Sequence, residues 1–367
     1  MPVIEANGVH KVFGRRARAA VDRLRAGASR EELRHEGVTA AVIDATFTVD
    51  AGEIFVVMGL SGSGKSTLLR MVNGLLKTTA GDLVVGGENI SGLSGRALRS
   101  VRRDKVSMVF QHFALLPHRT VGENVAYALQ LKGVNRVDRE RRAEEALALV
   151  GLGGWGGYLP EELSGGMRQR VGLARALAAD TEVLLMDEAF SALDPLIRKE
   201  MQDQLLELQQ DLGKTILFIT HDLNEAMRLG DRIAMMRDGR IDQVGTAAQI
   251  IDEPASDYVA RFVADVDRTR VLTASAVMER TTEAGDGPRY RTDTPLLELF
   301  EPASQTTEPI VVVDRRNRVV GRLTRAQLLH AVGEGVPEEH PEVEPPSGDP
   351  TPPASSPEPA ESREATR

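Results

Sequence analysis

A glycine-rich segment carries the strongest chemical signal in the chain. It reads GLSGSGKST and has the spacing G-x-x-x-x-G-K-[ST]. Glycines let consecutive backbone N–H groups curl around a phosphate, and a helix that starts there turns its positive end towards the anion. A flexible turn is the alternative, but a strand-like run precedes the segment and a helix over 65–73 follows it. We therefore expect a phosphate loop made of Gly59, Leu60, Ser61, Gly62, Ser63, Gly64, Lys65, Ser66 and Thr67.

Two carboxylates follow a second apolar run, 183–186, and complete a hydrolytic site. Ligands bind at the carboxyl edge of parallel sheets, where Asp187 and Glu188 would lie. Lys65 would place a charge on the outer phosphates, and Ser66 and Asp187 would hold Mg²⁺. Glu188 would act as general base or position the attacking water. The alternative is that the two acids only end a strand and cap a helix.

A second anion-ready helix start lies at LSGGMRQR. Ser164, Gly165 and Gly166 precede a helix that we expect to run to about Ala179. The positive end of that helix favours a phosphate, although the nucleotide already has one cradle. Two cradles in one chain suggest that ATP is sandwiched between two copies of the protein. We call residues 164–166 the signature loop.

Five motifs in this order resemble the ATPase subunit of ABC transporters: the phosphate loop, LSGGMRQR, LLMDE, SALD and ITHD. The resemblance covers about 3–262. It implies a P-loop ABC ATPase cassette of the α/β class, with a RecA-like core and a helical subdomain. It also implies ATP and Mg²⁺ as cofactors, and a head-to-tail homodimer in which each ATP lies between one phosphate loop and the partner's signature loop.

The resemblance assigns further site residues. Gln111 matches the glutamine that senses Mg²⁺ and meets the membrane subunit, and Asp194 matches the loop that crosses the dimer interface. His221 matches the histidine on the γ-phosphate. Phe13 falls where the family stacks an aromatic ring on adenine, and a core aromatic is the alternative. An Arg/Ala/Glu-rich insertion, 15–36, follows Phe13 and is predicted to be helical.

Residues around the motifs are similar to the quaternary-amine importers, which take up glycine betaine, proline betaine, choline or carnitine. That likeness implies permease subunits in the membrane, an extracytoplasmic substrate-binding protein and a place at the cytoplasmic face of the membrane. The segment 112–118, with Phe113, Leu115 and Leu116, would face the permease. An importer for another small molecule, a non-transport ABC ATPase and a nucleotide-regulated binding module without turnover stay as alternatives.

Alternating strand and helix patterns must position these motifs. The short apolar runs are expected to be buried strands: Ile54–Met58, 106–110, 183–186 and 216–220. A helix should follow Asp194 as N-cap and stop at Gly213, and another is expected over 138–151. Strands that alternate with helices predict a mostly parallel sheet.

Beyond the expected cassette, 1–255, the composition changes twice. Residues 256–335 resemble one CBS motif, and we expect a small α/β unit that pairs with its copy in a dimer. Its arginines at 315, 316, 318, 322 and 325 would either read an anionic lipid or nucleotide, or form a solvated face. The Pro/Glu-rich stretch 336–367 cannot bury enough surface to fold, so we expect a disordered tail, with a docking segment as the alternative.

Composition excludes several classes of protein. The chain has 367 residues, no cysteine and a formal net charge of −9, which argues against disulfides, thiolate chemistry and a protein devoted to nucleic acid. Its longest apolar runs are far below the ~18 residues that span a bilayer. No signal peptide is predicted at the N-terminus. Membrane contact would therefore pass through another protein or a local patch.

Overall fold

A computed structural model describes residues 1–111, 113–264, 266–283, 285–314 and 316–333. The predicted tail, 336–367, lies outside these residues, and so do His112 and Arg315.

The first sheet is antiparallel, and its strands have the order β2-β1-β4-β5. Its strands are β1 Pro2–Phe13, β2 Thr39–Asp50, β4 Ala80–Val85 and β5 Glu88–Asn89. Two short helices fill the connection between β1 and β2, namely α1 Ala17–Arg25 and α2 Arg30–His35. Both helices lie within the segment 15–36 that the sequence predicted to be a helical insertion.

The central sheet has the order β10-β9-β3-β8-β7-β6, and only β10 runs antiparallel to its neighbour. Its strands are β3 Ile54–Met58, β6 Val106–Val109, β7 Val183–Asp187, β8 Thr215–Thr220, β9 Arg232–Arg237 and β10 Arg240–Gly245. The runs predicted from the sequence match β3, β6, β7 and β8 to within one residue at either end. Every residue of β3, β7 and β8 is buried, as expected for strands covered on both faces.

The helices of this part of the chain are α3 Lys65–Val72, α4 Gly95–Asp104, α5 Val121–Leu131, α6 Arg136–Leu149, α7 Gly165–Ala178, α8 Pro195–Leu212, α9 Leu223–Leu229, α10 Ala247–Asp252 and α11 Asp257–Val263. A 3₁₀ turn spans Pro160–Glu162. The limits of α8 are as predicted, since Asp194 caps its start and Gly213 ends it with φ 60°. The predicted start of α6 at residue 138 was too late, because Asn135 caps the helix by accepting from Asp138 N.

Helices α5, α6 and α7 pack on one another and correspond to the expected helical subdomain. Val125, Leu129, Leu147 and Val171 are fully buried at their contacts. These side chains belong to the same hydrophobic cluster as Met186 and Phe218 of the central sheet. The subdomain is therefore fixed to the sheet by shared apolar packing. This packing sets the position of α7 relative to the sheet.

The C-terminal unit is a four-stranded sheet in the order β11-β14-β13-β12 with short helices around it. Its elements are α12 Arg268–Val271, α13 Ala274–Val277, β11 Glu279–Arg280, β12 Arg289–Arg291, α14 Leu296–Gln305, β13 Ile310–Val313, β14 Val319–Leu323 and α15 Arg325–Gly333. Leu272, Leu296 and Leu328 join the large hydrophobic cluster of the preceding domain. The boundary near 255, the CBS likeness and the pairing of two units stay predictions.

Much of the expected arginine cluster in this unit has a structural partner. Arg318 pairs with Asp314 at 2.7 Å, and Arg322 lies 3.6 Å from Glu283. Arg325 donates to backbone carbonyls, including that of Ala303 at 2.7 Å. These contacts favour structural and surface roles for the three arginines.

Candidate nucleotide-binding site

The phosphate loop lies between β3 and α3, as the motif requires, and its glycines permit contacts that no other residue would. A Cβ at Gly59, where φ is +149°, would lie 2.0 Å from the carbonyl oxygen of Met236. A Cβ at Gly64, where φ is +111°, would lie 2.3 Å from the carbonyl oxygen of Ala41. Both positions therefore need glycine on backbone and steric grounds.

Lys65 is held inside the phosphate loop. Its side chain donates to the carbonyl oxygens of Gly59 at 2.8 Å and of Leu60 at 3.0 Å. The residue is only 4% exposed, and this burial lowers the pKa of its ammonium group, while Glu188 and Asp187 act in the opposite direction. A buried ammonium ion with only carbonyl oxygens as partners is well placed to exchange them for phosphate oxygens.

Ser66 and Asp187 form an oxygen pair below the loop. The hydroxyl of Ser66 donates to Oδ1 of Asp187 at 3.1 Å. Burial raises the pKa of the Asp187 carboxyl group, against the opposing hydrogen bond from Ser66. A buried carboxylate beside a hydroxyl fits Mg²⁺, which prefers oxygen ligands and is usually held by one or two carboxylates plus substrate phosphates.

Glu188 follows Asp187 in a conformation that few non-glycine residues adopt. Its φ is 46°, in the left-handed region, which costs about 1 kcal/mol. Two contacts hold it there: its backbone N–H donates to Ile219 O at 3.0 Å, and Ser191 Oγ donates to its carbonyl oxygen at 2.9 Å. The backbone of Glu188 is therefore fixed where strand β7 ends.

The structure brings Gln111 and His221 to the Glu188 carboxylate. Nε2 of Gln111 lies 3.4 Å from Oε2 of Glu188, and Nδ1 of His221 lies 3.1 Å from the same oxygen. The His221 side chain is 56% exposed, whereas that of Glu188 is 18% exposed. One carboxylate thus meets both residues at the mouth of the site.

Phe13 lies at the end of β1 and is not a core residue. It is 40% exposed, and Nζ of Lys11 lies 4.8 Å from the centre of its ring. Lys11 also donates to the carbonyl oxygen of Lys77 at 2.8 Å, which fixes the cation there. The cation lies over the ring, and the exposed part of the ring is where a planar ligand could contact it.

The signature loop and Asp194 border a different cavity, of about 640 Å³. Its lining includes Ser164, Gly165, Gly166, Leu193, Asp194 and Ile197. Ser164 caps α7 by accepting from Met167 N at 3.2 Å. No described residue of the phosphate loop lines this cavity, so one chain groups the predicted site residues into two separate sets.

Sequence reasoning missed Arg198, which ties two loops of the site together. Its guanidinium lies 3.3 Å from Oδ2 of Asp222, next to His221, and donates to the carbonyl of Leu193 at 3.1 Å. It also reaches the carbonyl of Ser191 at 3.5 Å. The residue stands four positions after Asp194, so one helical turn brings it back over the loop, a spacing that sequence reasoning could have used.

Known proteins are similar in sequence to this chain across most of the site. A profile of the ABC transporter family covers residues 42–191, from β2 through the phosphate loop, the signature loop and Glu188. The glycine betaine transport ATP-binding protein OpuAA of Bacillus subtilis (strain 168) is 46% identical, over 90% of this chain and 92% of its own length. This chain belongs to the ABC transporter family.

Other relatives of this ABC protein carry related names. The glycine betaine/carnitine transport ATP-binding protein GbuA of Listeria monocytogenes serotype 1/2a (strain 10403S) is 48% identical, over 92% of this chain and 84% of its own. The trimethylamine N-oxide transport system ATP-binding protein TmoW of Pelagibacter ubique (strain HTCC1062) is 44% identical, over 90% of this chain and 97% of its own length.

A solved structure has the same fold. The ATP-binding cassette MJ0796, in a dimeric post-hydrolysis state bound to ADP and Pi, superposes with a TM-score of 0.57 at 31% sequence identity. The match covers 66% of this ABC protein and 98% of that chain. The α/β cassette fold expected from the sequence is confirmed. Within the part of the chain that the structure describes, no helix has both the length and the apolar character needed to cross a bilayer.

Proposed function

We propose that this chain is the ATP-hydrolysing subunit that powers an ABC importer, and that the importer takes up glycine betaine or a related quaternary amine. One observation carries the proposal: likeness to betaine transport ATP-binding proteins extends over 90% of the chain or more, including the whole hydrolytic site. The meeting of Gln111, Glu188 and His221 at the phosphate loop supports turnover over passive nucleotide binding.

In the proposed site, residues 59–67 hold the phosphates of ATP through backbone N–H groups, and Lys65 exchanges its carbonyl partners for the outer phosphates. Phe13 stacks on adenine. Ser66, Gln111 and Asp187 would hold Mg²⁺, and the ion would neutralise charge on the β- and γ-phosphate oxygens.

Glu188 is the proposed general base. Its carboxylate accepts a proton from the attacking water or orients that water, a role that is typically worth about 10²–10⁴-fold in rate. His221 would contact the γ-phosphate. Both His221 and Gln111 lie against the Glu188 carboxylate, so the residue proposed for the γ-phosphate is held beside the proposed base.

The second set of site residues indicates a head-to-tail homodimer. Ser164, Gly165, Gly166 and Asp194 share a cavity apart from their own phosphate loop. A partner's phosphate loop, with ATP on it, would fill this cavity and place the positive end of α7 on the γ-phosphate. The structure of the related cassette MJ0796 is dimeric, which supports a dimer of this chain.

A groove between α4, α5 and α7 is the proposed docking place for the permease subunit. The cavity there has a volume of about 770 Å³, and its lining includes Arg96, Arg99, Arg102, Arg103, Tyr127 and Leu131. Arg175, at the same groove, donates to the carbonyls of Phe113 at 2.8 Å and Ala114 at 2.6 Å. The groove is thereby linked to the loop after Gln111. Its lining combines arginines with apolar side chains, which suits an acidic, amphipathic segment.

Through this contact the subunit would sit at the cytoplasmic face of the membrane, and an extracytoplasmic binding protein would deliver substrate to the permease.

Uptake of labelled glycine betaine tests the proposal in cells that lack this gene. We expect the wild-type gene to restore uptake and the Glu188→Gln gene to fail. Restoration by Glu188→Gln, or unchanged uptake in the deletion strain when it has no second betaine carrier, would contradict it.

The likeness to a trimethylamine N-oxide system favours one alternative substrate. The same cells distinguish the two when unlabelled compounds compete with the label. An excess of proline betaine or carnitine should reduce uptake if the importer prefers quaternary amines. Stronger inhibition by trimethylamine N-oxide would move the assignment to that compound. The non-transport alternative predicts that the chain purifies from native membranes without a permease.

A further inference from the structure

A third cavity opens beside the phosphate loop, on the side of the insertion. Its volume is about 510 Å³. Four elements contribute to its wall: α2, the start of β2, the phosphate loop and the turn between β9 and β10. The residues that matter here are Arg30, Arg34, Thr39, Ser61, Gly62 and Asp238.

The insertion that forms this wall has a small core of its own. Val21 and Leu24 of α1 and Leu33 of α2 are no more than 4% exposed, and they pack with Val12 of β1. Ser29 caps α2 by accepting from Glu32 N at 3.1 Å. Helix α2 is thus held by apolar packing against the sheet, and the wall is a built part of the fold.

Arg30 of this wall contacts the phosphate loop directly. Its guanidinium donates to the carbonyl oxygen of Gly62 at 3.2 Å and to Oδ1 of Asp238 at 3.1 Å. The next residue of that turn, Gly239, donates its N–H to the carbonyl oxygen of Ser63 at 2.9 Å. Arg30 and the β9–β10 turn therefore hold consecutive carbonyl oxygens of the phosphate loop.

The position of the cavity indicates which part of a ligand it takes. Thr39, in its wall, pairs in register with Phe13 across β1 and β2. The cavity thus extends from the phosphate loop to the strand residue that is paired with Phe13. Besides the guanidinium groups it has the carboxylate of Glu31 and the hydroxyl groups of Thr39 and Ser61. Donors and acceptors of this kind suit ribose hydroxyls and the polar edge of a base.

We propose that α2 of the insertion forms the nucleoside end of the nucleotide site: Arg34 contacts the ribose or base of the bound nucleoside triphosphate, and Arg30 is a positioning residue that acts through the phosphate loop. This inference rests on the proposed ATP site. Arg34 therefore affects affinity only for ligands that carry a nucleoside, whereas Arg30 affects every ligand that uses the phosphate loop.

Calorimetric titration of the full chain with ATP and with inorganic tripolyphosphate tests the role of Arg34. Tripolyphosphate offers the phosphate chain without ribose or base. We expect Arg34→Ala to raise the Kd for ATP about three- to tenfold and to change that for tripolyphosphate less than twofold. Equal shifts for the two ligands, or no shift for either, would overturn the assignment. Arg25→Ala is the matched control, because Arg25 is an exposed arginine of the same insertion outside the cavity wall.

Arg30→Ala should raise the Kd for ATP and the Kd for tripolyphosphate by a similar factor. Arg30→Lys should keep part of the affinity that Arg30→Ala loses. The double variant with Arg30→Asp and Asp238→Arg, which exchanges the two charges, should bind both ligands more tightly than Arg30→Asp alone. A loss confined to ATP would show that Arg30 contacts the nucleoside, and no loss would remove its role. Thermal unfolding separates these effects from misfolding.

Failure of the underlying site gives a different pattern. If wild-type protein bound neither ligand, or if Lys65→Ala left both affinities unchanged, the proposed ATP site itself would be wrong, whatever Arg34 does. If Lys65→Ala lowers the affinity for both ligands and Arg34→Ala lowers it for neither, only the role of α2 is overturned.

Discussion

Nδ1 of His221 lies 3.1 Å from Oε2 of Glu188. The two residues come from neighbouring strands, since Asp187 of β7 pairs in register with Ile219 of β8. Each side chain stands just beyond the end of its strand, so the sheet itself sets their separation. The pair joins the proposed base to the residue proposed for the γ-phosphate.

Glu188→Gln should abolish turnover and keep nucleotide affinity. The amide preserves the shape of the side chain but cannot accept a proton from water, so we expect phosphate release to fall at least 10²-fold. The Kd for ATP should stay within about threefold, and ATP should shift the variant from monomer to dimer in size-exclusion chromatography. Glu207→Gln, at an exposed site on α8, is the control. Hydrolysis near the wild-type rate would remove Glu188 as the base.

Arg198→Ala should reduce turnover more than affinity. Its guanidinium joins Asp222 to the carbonyl of Leu193, so its loss frees the loop before Asp194 and the segment around His221 together. We expect kcat to fall about tenfold and the Kd for ATP measured on monomer to change less than threefold. The neighbouring Lys199 is exposed, and Lys199→Ala should leave both values unchanged. A loss of affinity with an unchanged kcat would contradict the coupling.

The permease groove predicts an effect of charge reversal. Arg99 is exposed and lines the groove, so Arg99→Glu would repel an acidic partner segment. We expect less permease to co-purify with the variant, while the ATPase activity of the isolated subunit stays the same. Arg240→Glu reverses an exposed charge on β10, outside the groove, and should bind the permease normally. Equal recovery of permease with both variants would place the contact elsewhere.

Replacing the buried carboxyl group of Glu225 by an amide should stabilise the protein to an extent that depends on pH. It is 5% exposed, and burial raises the pKa of its carboxyl group despite hydrogen bonds from Thr220 and Gln202. A raised pKa means that ionisation costs more in the folded protein than in the unfolded chain. The penalty is complete above the folded pKa and disappears below the ordinary glutamate pKa.

Glu225→Gln should therefore raise Tm by roughly 2–4 °C at pH 8, and the gain should shrink as the pH falls towards 5. Differential scanning fluorimetry of the full chain measures both. The exposed Glu207→Gln variant should show no such trend. A gain that grows on acidification would mean that the carboxylate is stabilised where it lies.

The sequence predicted those parts of the fold that depend on local pattern. Four buried strands and the caps of α8 at Asp194 and Gly213 are where apolar runs and capping residues placed them, and two helices lie in the Arg/Ala/Glu-rich insertion. The start of α6 was wrong by two residues because the cap is Asn135, and several polar residues near it can begin a helix equally well.

Other features of the site depend on contacts between distant parts of the chain. Arg30 reaches Asp238, and Arg175 reaches Phe113, across separations that no local pattern encodes. The left-handed backbone of Glu188 is likewise imposed by Ile219 and Ser191. The Asp-Glu motif identified the residue, but its conformation follows only from the packed sheet.

In the proposed function, hydrolysis at Glu188 drives import of a quaternary amine. The most direct measurement uses vesicles that contain the complete transporter, with ATP on the side of this subunit, and follows phosphate release and labelled glycine betaine uptake together. We predict that both processes depend on ATP and that both are lost with Glu188→Gln. Uptake that continues with Glu188→Gln, or hydrolysis that never produces uptake of any quaternary amine, would contradict the account.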